Sequence, residues 1–207
     1  MMIQALFKAV EQCIMVQEKP SITLNDFLEA GNFQSYPFEM LQRLRFTDQS
    51  PIHHPEGNVW NHTLLVTDHA AKRKAQSTDP KVFMWAALLH DIGKPAATKI
   101  RKGRITAYDH DKIGADLARE FLSVFIKDSD MIDRVAWLVR YHMQPLFVIK
   151  DLPFKDIPGM KKHVDIHDVA LLGLCDRMGR TGSRETEEEH SMARFLEACT
   201  HYGTPTP

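Results

Sequence analysis

Along most of this chain apolar residues recur three and four positions apart, the spacing that gathers them on one face of a helix. Residues 2–17 show the pattern first, and Pro20 stops it. Thr23-Leu24-Asn25-Asp26 reads as another helix start, and residues 37–46 as a third, short helix. The stretch SPIHHPEG at 50–57 breaks the pattern with two prolines and a glycine, so it reads as a loop. A helix is predicted over 59–76. Asp79-Pro80 supplies a cap and first residue for the next, which runs to His90-Asp91. Helices resume over 109–125, 129–141, 153–157, 165–178 and 185–200. Strand character is confined to 97–100 and 104–108, joined at Lys102-Gly103 as a small β-hairpin. The tail GTPTP at 203–207 is expected to fray. The pattern predicts an all-α helical bundle with one hairpin. Residues 1–50 read as a helical extension, 51–180 as the central domain, and 181–207 as a helix and tail packed on that domain.

Bulk properties narrow what such a bundle does. At 207 residues, 43% hydrophobic and 26% charged, the chain can bury a core without disulfide or metal staples. A metal, if bound, therefore serves chemistry more than folding. A net charge of -1 argues against wrapping nucleic acid wholesale, while leaving room for a local basic patch. Cys13, Cys175 and Cys199 are scattered and form no CxxC pair, which suits a reducing compartment. The longest apolar run, 82–89, is too short to span a bilayer. Lys8 and Glu11 interrupt the N-terminal apolar pattern, which lacks a signal-peptide layout. A cytoplasmic protein with no membrane partner is expected.

Candidate chemistry collects at helix ends. In WAALLHDIGKP, at 85–95, an apolar run passes straight into His90-Asp91. An ionisable pair at the edge of a core costs free energy unless something satisfies it. His62 sits early in its predicted helix, His110 opens the one after the hairpin, His142 ends another, and Asp176 lies near the end of a fifth. Imidazole nitrogens and carboxylate oxygens are ligands for divalent transition metals, and bundles build such sites from inward-facing helix residues. The bland reading stands beside this one. The chain has 11 histidines, and a lone histidine is more often a surface or hydrogen-bonded core residue than a ligand.

The order His62, His90-Asp91, Asp176, with LLHDIGKP at 88–95, resembles the HD superfamily of metal-dependent phosphohydrolases. The likeness covers about residues 51–180. HPEGNVWNHTL at 54–64 and GRITAYDHDKIGA at 103–115 look most like the HD domain of bacterial tRNA nucleotidyltransferases. The resemblance implies that His62, His90, Asp91 and Asp176 bind one metal. His110 and His142 match the extra histidines of two-metal members, in which Asp91 would bridge both ions. Two ions are favoured because all six positions are filled; the metal would be Mn, Fe, Ni, Co or Mg. A mononuclear site would leave His110 and His142 to contact phosphate or move a proton. The resemblance does not extend to nucleotidyl transfer: no Gly-Ser followed by paired aspartates precedes this region, and there is no Walker P-loop.

The implied activity is hydrolysis of a phosphate mono- or diester by metal-activated hydroxide. The substrate class is nucleotide-like: a 2′,3′-cyclic nucleotide, a 2′-nucleotide or a dinucleoside polyphosphate, with an RNA end little supported by the near-neutral charge. Asp91 and Lys94 are the candidate catalytic residues. Lys94, Lys112, Arg140 and Arg177 lie close to proposed ligands in sequence and are candidate phosphate contacts; Arg180 is a further one. Lys99, Arg101, Lys102 and Arg104 line the hairpin, with no acidic residue from Lys94 to Tyr108, and could steer an anion. His53-His54 read as surface loop, and His69 as a packed histidine. The rival class is a non-catalytic regulatory module that binds metal or nucleotide and acts through a protein partner. Oligomeric state is not legible.

Overall fold

The computed structural model describes residues 2–203. Helix α1 (Ile3–Val16) buries Leu6, Phe7, Val10, Cys13 and Ile14 along one face. Pro20 ends that run and also occupies the first turn of α2 (Pro20–Glu29), where its missing N–H costs nothing. The second helix therefore starts before the expected Thr23. Helix α3 (Glu39–Leu44) lies inside the expected 37–46.

Helix α4 (Val59–Arg73) is capped by Asn58, whose side chain accepts from the Asn61 N–H. Helix α5 (Pro80–Leu89) is capped by Asp79 in the same way, on the N–H groups of Lys81 and Val82. Residues 82–89 are all buried, so α5 is the central helix of the bundle. The N-terminal helices share its core: Phe7 stacks on Trp85 with ring centroids 4.8 Å apart, and Trp85 Nε1 donates to Glu11.

After α5 the chain turns through 90–93 into α6 (Lys94–Ala97). This single turn is too short to show a period, and the strand expected from residue 97 begins instead at Lys99. Strands β1 (Lys99–Arg101) and β2 (Arg104–Thr106) are antiparallel, pairing Lys99 with Thr106, Ile100 with Ile105 and Arg101 with Arg104. Lys102 and Gly103 both have positive φ, 50° and 73°, as a two-residue turn matched to strand twist requires.

Helices α7 (His110–Ser123) and α8 (Ser129–Tyr141) pack along each other. Then come α9 (Gln144–Ile149), α10 (Ile157–His163), α11 (Ile166–Met178) and α12 (Glu185–Thr200). Two details correct the sequence pattern. The helix expected over 153–157 is a turn; Asp156 caps α10 by accepting from the Gly159 N–H, so the helix begins where that turn ends. Helix α9 was not expected, because Pro145 resembles a break and instead sits in its first turn. Of the tail expected to fray, residues 204–207 lie outside the described residues. The two-stranded hairpin is the only sheet among the described residues. The fold is the expected all-α bundle. None of its described helices is long and apolar enough to cross a membrane.

One glycine aligns the fold with its candidate chemistry. A Cβ on Gly93 would lie 2.1 Å from the His110 carbonyl oxygen and 2.6 Å from the Gly114 nitrogen. Only glycine lets the turn after α5 press against the start of α7. That contact brings His110 to Asp91.

Candidate metal centre

Five elements meet at one buried point. His62 comes from the first turn of α4, His90 and Asp91 from the end of α5 and the turn after it. His110 opens α7, His142 caps the C-terminus of α8, and Asp176 lies in the last turn of α11. All six are buried, His62 and His90 completely. A cluster this polar has no place in a core unless its atoms are satisfied.

The histidines are oriented by backbone. His90 Nδ1 lies 2.8 Å from the Ala87 carbonyl oxygen, His110 Nδ1 2.7 Å from that of Ala107, and His142 Nδ1 2.6 Å from that of Val139. Each carbonyl takes the Nδ1 proton, which leaves each Nε2 facing the cluster. Burial keeps His142 neutral, assisted by repulsion from the neighbouring His110 and His90, and its pKa falls to about 3. Burial lowers that of His110 as well, although Asp91 opposes it.

Asp91 lies between two sets of imidazoles and turns one oxygen to each. Its Oδ2 is 3.2 Å from His90 Nε2 and 3.9 Å from His62 Nε2. Its Oδ1 is 3.4 Å from His110 Nε2 and 3.8 Å from His142 Nε2. The ligand atoms of His62, His90 and Asp91 lie within 4.8 Å of one another, and so do those of Asp91, His110 and His142. Burial alone would raise the Asp91 pKa, but His90 and Lys94 outweigh it and hold the carboxyl well below its usual range. It is therefore an anion at neutral pH.

The His62 side is held by carboxylates. His62 Nε2 is 2.9 Å from Asp176 Oδ1, and its Nδ1 is 2.8 Å from Glu56 Oε1. Burial disfavours a charged His62, but Asp176 and Glu56 overcome it and raise the pKa. Burial also opposes the charge on Glu56, yet hydrogen bonding to His62 brings its pKa down to about 2. Glu56 also meets His54 Nδ1 at 2.8 Å. The ring of His54 lies edge-on to His62 with centroids 4.8 Å apart. This corrects the surface-loop reading of His54: the loop folds back over the cluster. His69 stands apart, beside Arg73. Arg180 Nη2 meets Asp176 Oδ2 at 3.1 Å, and burial of Asp176 is offset chiefly by that guanidinium and by His62.

The donor set fits a divalent cation. His90 Nε2 and Asp91 Oδ2 face each other at 3.2 Å inside the fold, with Lys94 Nζ 2.7 Å from that oxygen. The Nε2 atoms of His110 and His142 face each other at 3.2 Å, yet with both Nδ1 protons committed to carbonyls neither neutral ring has a proton to share. Two facing lone pairs repel unless a cation lies between or beside them. Nitrogen and carboxylate oxygen are donors that several first-row divalent ions accept.

Of the five cations expected near substrate, two join the cluster: Arg180 through Asp176, and Lys94 through Asp91. Lys94 Nζ is 2.7 Å from Asp91 Oδ2 and 2.6 Å from Gln49 Oε1, and the residue is buried. Lys112 is exposed and paired with Asp109 at 2.7 Å. Arg140 is paired with the buried Asp111, and Arg177 Nε is 4.0 Å from Glu188. Sequence reading assigned no role to Glu56 or Gln49. Glu56 had one signal, an acid between Pro55 and Gly57 just ahead of the first ligand helix, but such loop acids are ordinarily solvated. Gln49 had none.

The HD domain family model matches residues 59–181. The Multifunctional CCA protein of Actinobacillus pleuropneumoniae serotype 5b (strain L20) is 30% identical over 158 residues, 72% of this chain and 38% of that protein. The CC-adding tRNA nucleotidyltransferase of Thermus thermophilus is 34% identical over 100 residues, 47% of the chain and 22% of that enzyme. The A-adding tRNA nucleotidyltransferase of Deinococcus radiodurans is 39% identical over 108 residues, 51% of the chain and 24% of that enzyme. The chain thus spans well under half the length of these relatives.

Proposed function

The chain belongs to the HD domain family, and from that premise we propose that it is a metal-dependent phosphohydrolase. Its substrate is a phosphate mono- or diester of a nucleotide-like molecule: a 2′,3′-cyclic nucleotide, a 2′-nucleotide or a dinucleoside polyphosphate. The observation that carries this reading is Asp91, which offers Oδ2 to His62 and His90 and Oδ1 to His110 and His142. That geometry supports two divalent ions sharing one carboxylate.

His62, His90, Asp91 and Asp176 would hold one ion, and Asp91, His110 and His142 the other. Such ions lower the pKa of a water and offset charge on phosphoryl oxygens. The chain's own groups do the rest. The carbonyls of Ala87, Ala107 and Val139 fix the tautomers of His90, His110 and His142, so no donor must reorient during reaction. Glu56 orients His62 from its far side. Lys94, braced by Gln49, keeps an ammonium beside Asp91, where it can donate to a non-bridging phosphoryl oxygen. Lys112, Arg140 and Arg177 already have acidic partners and are given no phosphate role. The three buried free cysteines support a reducing, intracellular setting.

The test is hydrolysis of bis-p-nitrophenyl phosphate and of a panel holding 2′,3′-cyclic AMP, 2′-AMP and diadenosine tetraphosphate, with Mn, Fe, Ni, Co or Mg. Turnover that chelation abolishes and metal restores is expected. A protein that binds metal but turns over none of these with any ion would instead be the regulatory module acting through a partner.

A further inference from the structure

A phosphate ester has no way into this centre while the fold stays as it is. His62 and His90 are wholly buried and Asp91 is 2% exposed, so a substrate reaches them only if some part of the chain moves aside. The helices that carry the ligands are poor candidates. They share one apolar core, through Trp60 of α4, Leu88 of α5, Phe121 of α7, Val139 of α8 and Leu172 of α11, and parting them would expose it.

The segment 48–58 is built differently. It leaves and rejoins the bundle at one point, where the Val59 N–H donates to the Thr47 carbonyl at 3.0 Å. A surface loop with its ends so close is an Ω-loop, a form that often serves function. Its backbone turns on itself: the N–H groups of His53 and His54 donate to the Ser50 carbonyl, and that of Gly57 to the His54 carbonyl. It buries no apolar side chain, and Ile52 is 85% exposed. What holds it down is polar. Gln49 Oε1 accepts from Lys94 Nζ at 2.6 Å, Glu56 Oε1 meets His62 Nδ1 at 2.8 Å, and the Glu56 carbonyl accepts from Asn61 Nδ2 at 3.0 Å. Segments with few buried apolar contacts are the ones that open locally at low free energy.

We propose that residues 48–58 form a lid over the His62 side of the centre, pinned where Thr47 meets Val59. It swings out to admit the phosphate ester and closes over it to exclude water. Closure restores the Gln49 contact to Lys94, so the ammonium is seated when the substrate is covered. What enters rests on the phosphohydrolase reading; the opening itself does not.

Acylation of His90 by diethyl pyrocarbonate, mapped by mass spectrometry on the full chain in EDTA, reads the opening directly, because that ring is wholly buried while the lid is shut. His53 is exposed and gives the rate for an uncovered ring. Gly57 has a φ of 105°, so Gly57→Ala strains the closed loop while removing no group that touches the centre. In the wild type His90 reacts, more slowly than His53. In Gly57→Ala it reacts about tenfold faster, within the range that such strain sets. Gln49→Ala cuts the tie to Lys94 and accelerates His90 by a second route. The buried thiols of Cys175 and Cys199 stay unreactive to 5,5′-dithiobis(2-nitrobenzoate) throughout, which separates lid opening from unfolding. A His90 that reacts at the wild-type rate in both variants, or faster only in step with those thiols, would overturn the proposal. So would a wild-type His90 that stays unmodified while His53 reacts fully. Bis-p-nitrophenyl phosphate hydrolysis by the wild type, run alongside with Mn, separates the two readings. Accelerated His90 without hydrolysis overturns the phosphohydrolase reading, and with it the phosphate ester as what enters. Hydrolysis with His90 unaffected by either variant overturns the lid alone.

Discussion

The two sides of Asp91 are built differently. On the Oδ1 side stand His110 and His142, both neutral, with backbone carbonyls behind them and no charged side chain of their own. On the Oδ2 side His62 is gripped between Glu56 and Asp176, Asp176 carries Arg180, and Lys94 touches Asp91 itself. The second side balances its charges with side chains already present. The first side holds two facing lone pairs that no proton reconciles, so a cation has most to offer there. One carboxylate between the two sides ties them into a single unit.

Substitutions that touch one side or both can break this comparison. Asp91→Asn touches both. It is expected to lower hydrolysis by more than about 100-fold, since even substitutions behind metal ligands cost 10–100-fold; steady-state kinetics on bis-p-nitrophenyl phosphate would show it. His142→Gln touches only the Oδ1 side. It should remove one equivalent of bound metal and leave the other, as read by elemental analysis after dialysis; loss of both would show that the sides are not separable. Glu56→Gln touches only the Oδ2 side, from behind His62. It should weaken metal binding there by about 10-fold, the lower end of such effects, and isothermal titration would register it as a change in one binding step.

Gly93→Ala has the smallest expected effect on metal ligation itself, because it removes no donor. Its Cβ would crowd the His110 carbonyl oxygen and push α7 away from the turn after α5. Overpacking of this kind costs about 1–3 kcal/mol, so thermal melting should fall by about 2–4 °C for each kcal/mol lost. Metal uptake on the Oδ1 side should fall with it, since His110 rides on α7.

Much of the site was legible in the sequence, for identifiable reasons. The apolar run at 82–89 marked a buried helix, and the abrupt His90-Asp91 marked where its end meets something that satisfies charge. Lys102-Gly103 announced the hairpin through its turn chemistry. Helix α6 was not legible because four residues are too few to display a period, and α9 because Pro145 in its first turn resembles a break. Glu56 and His54 were hidden for another reason. A Pro- and Gly-flanked loop reads as solvated, and only the way it folds back over His62 buries it. Gln49 is a polar residue in a turn until the fold places it on Lys94. Lys112, Arg140 and Arg177 show the converse: closeness in sequence to a ligand did not decide where their charges point, because Asp109, Asp111 and Glu188 hold them.

The central claim is that Asp91 is shared between two ion-binding groups. The most direct test is the number of Mn ions bound per chain by wild type and by Asp91→Asn, measured by elemental analysis with folding checked by circular dichroism. The account predicts two ions per wild-type chain and loss of both in a folded Asp91→Asn. A wild type that binds a single ion, or an Asp91→Asn protein that keeps its full metal content, would contradict it.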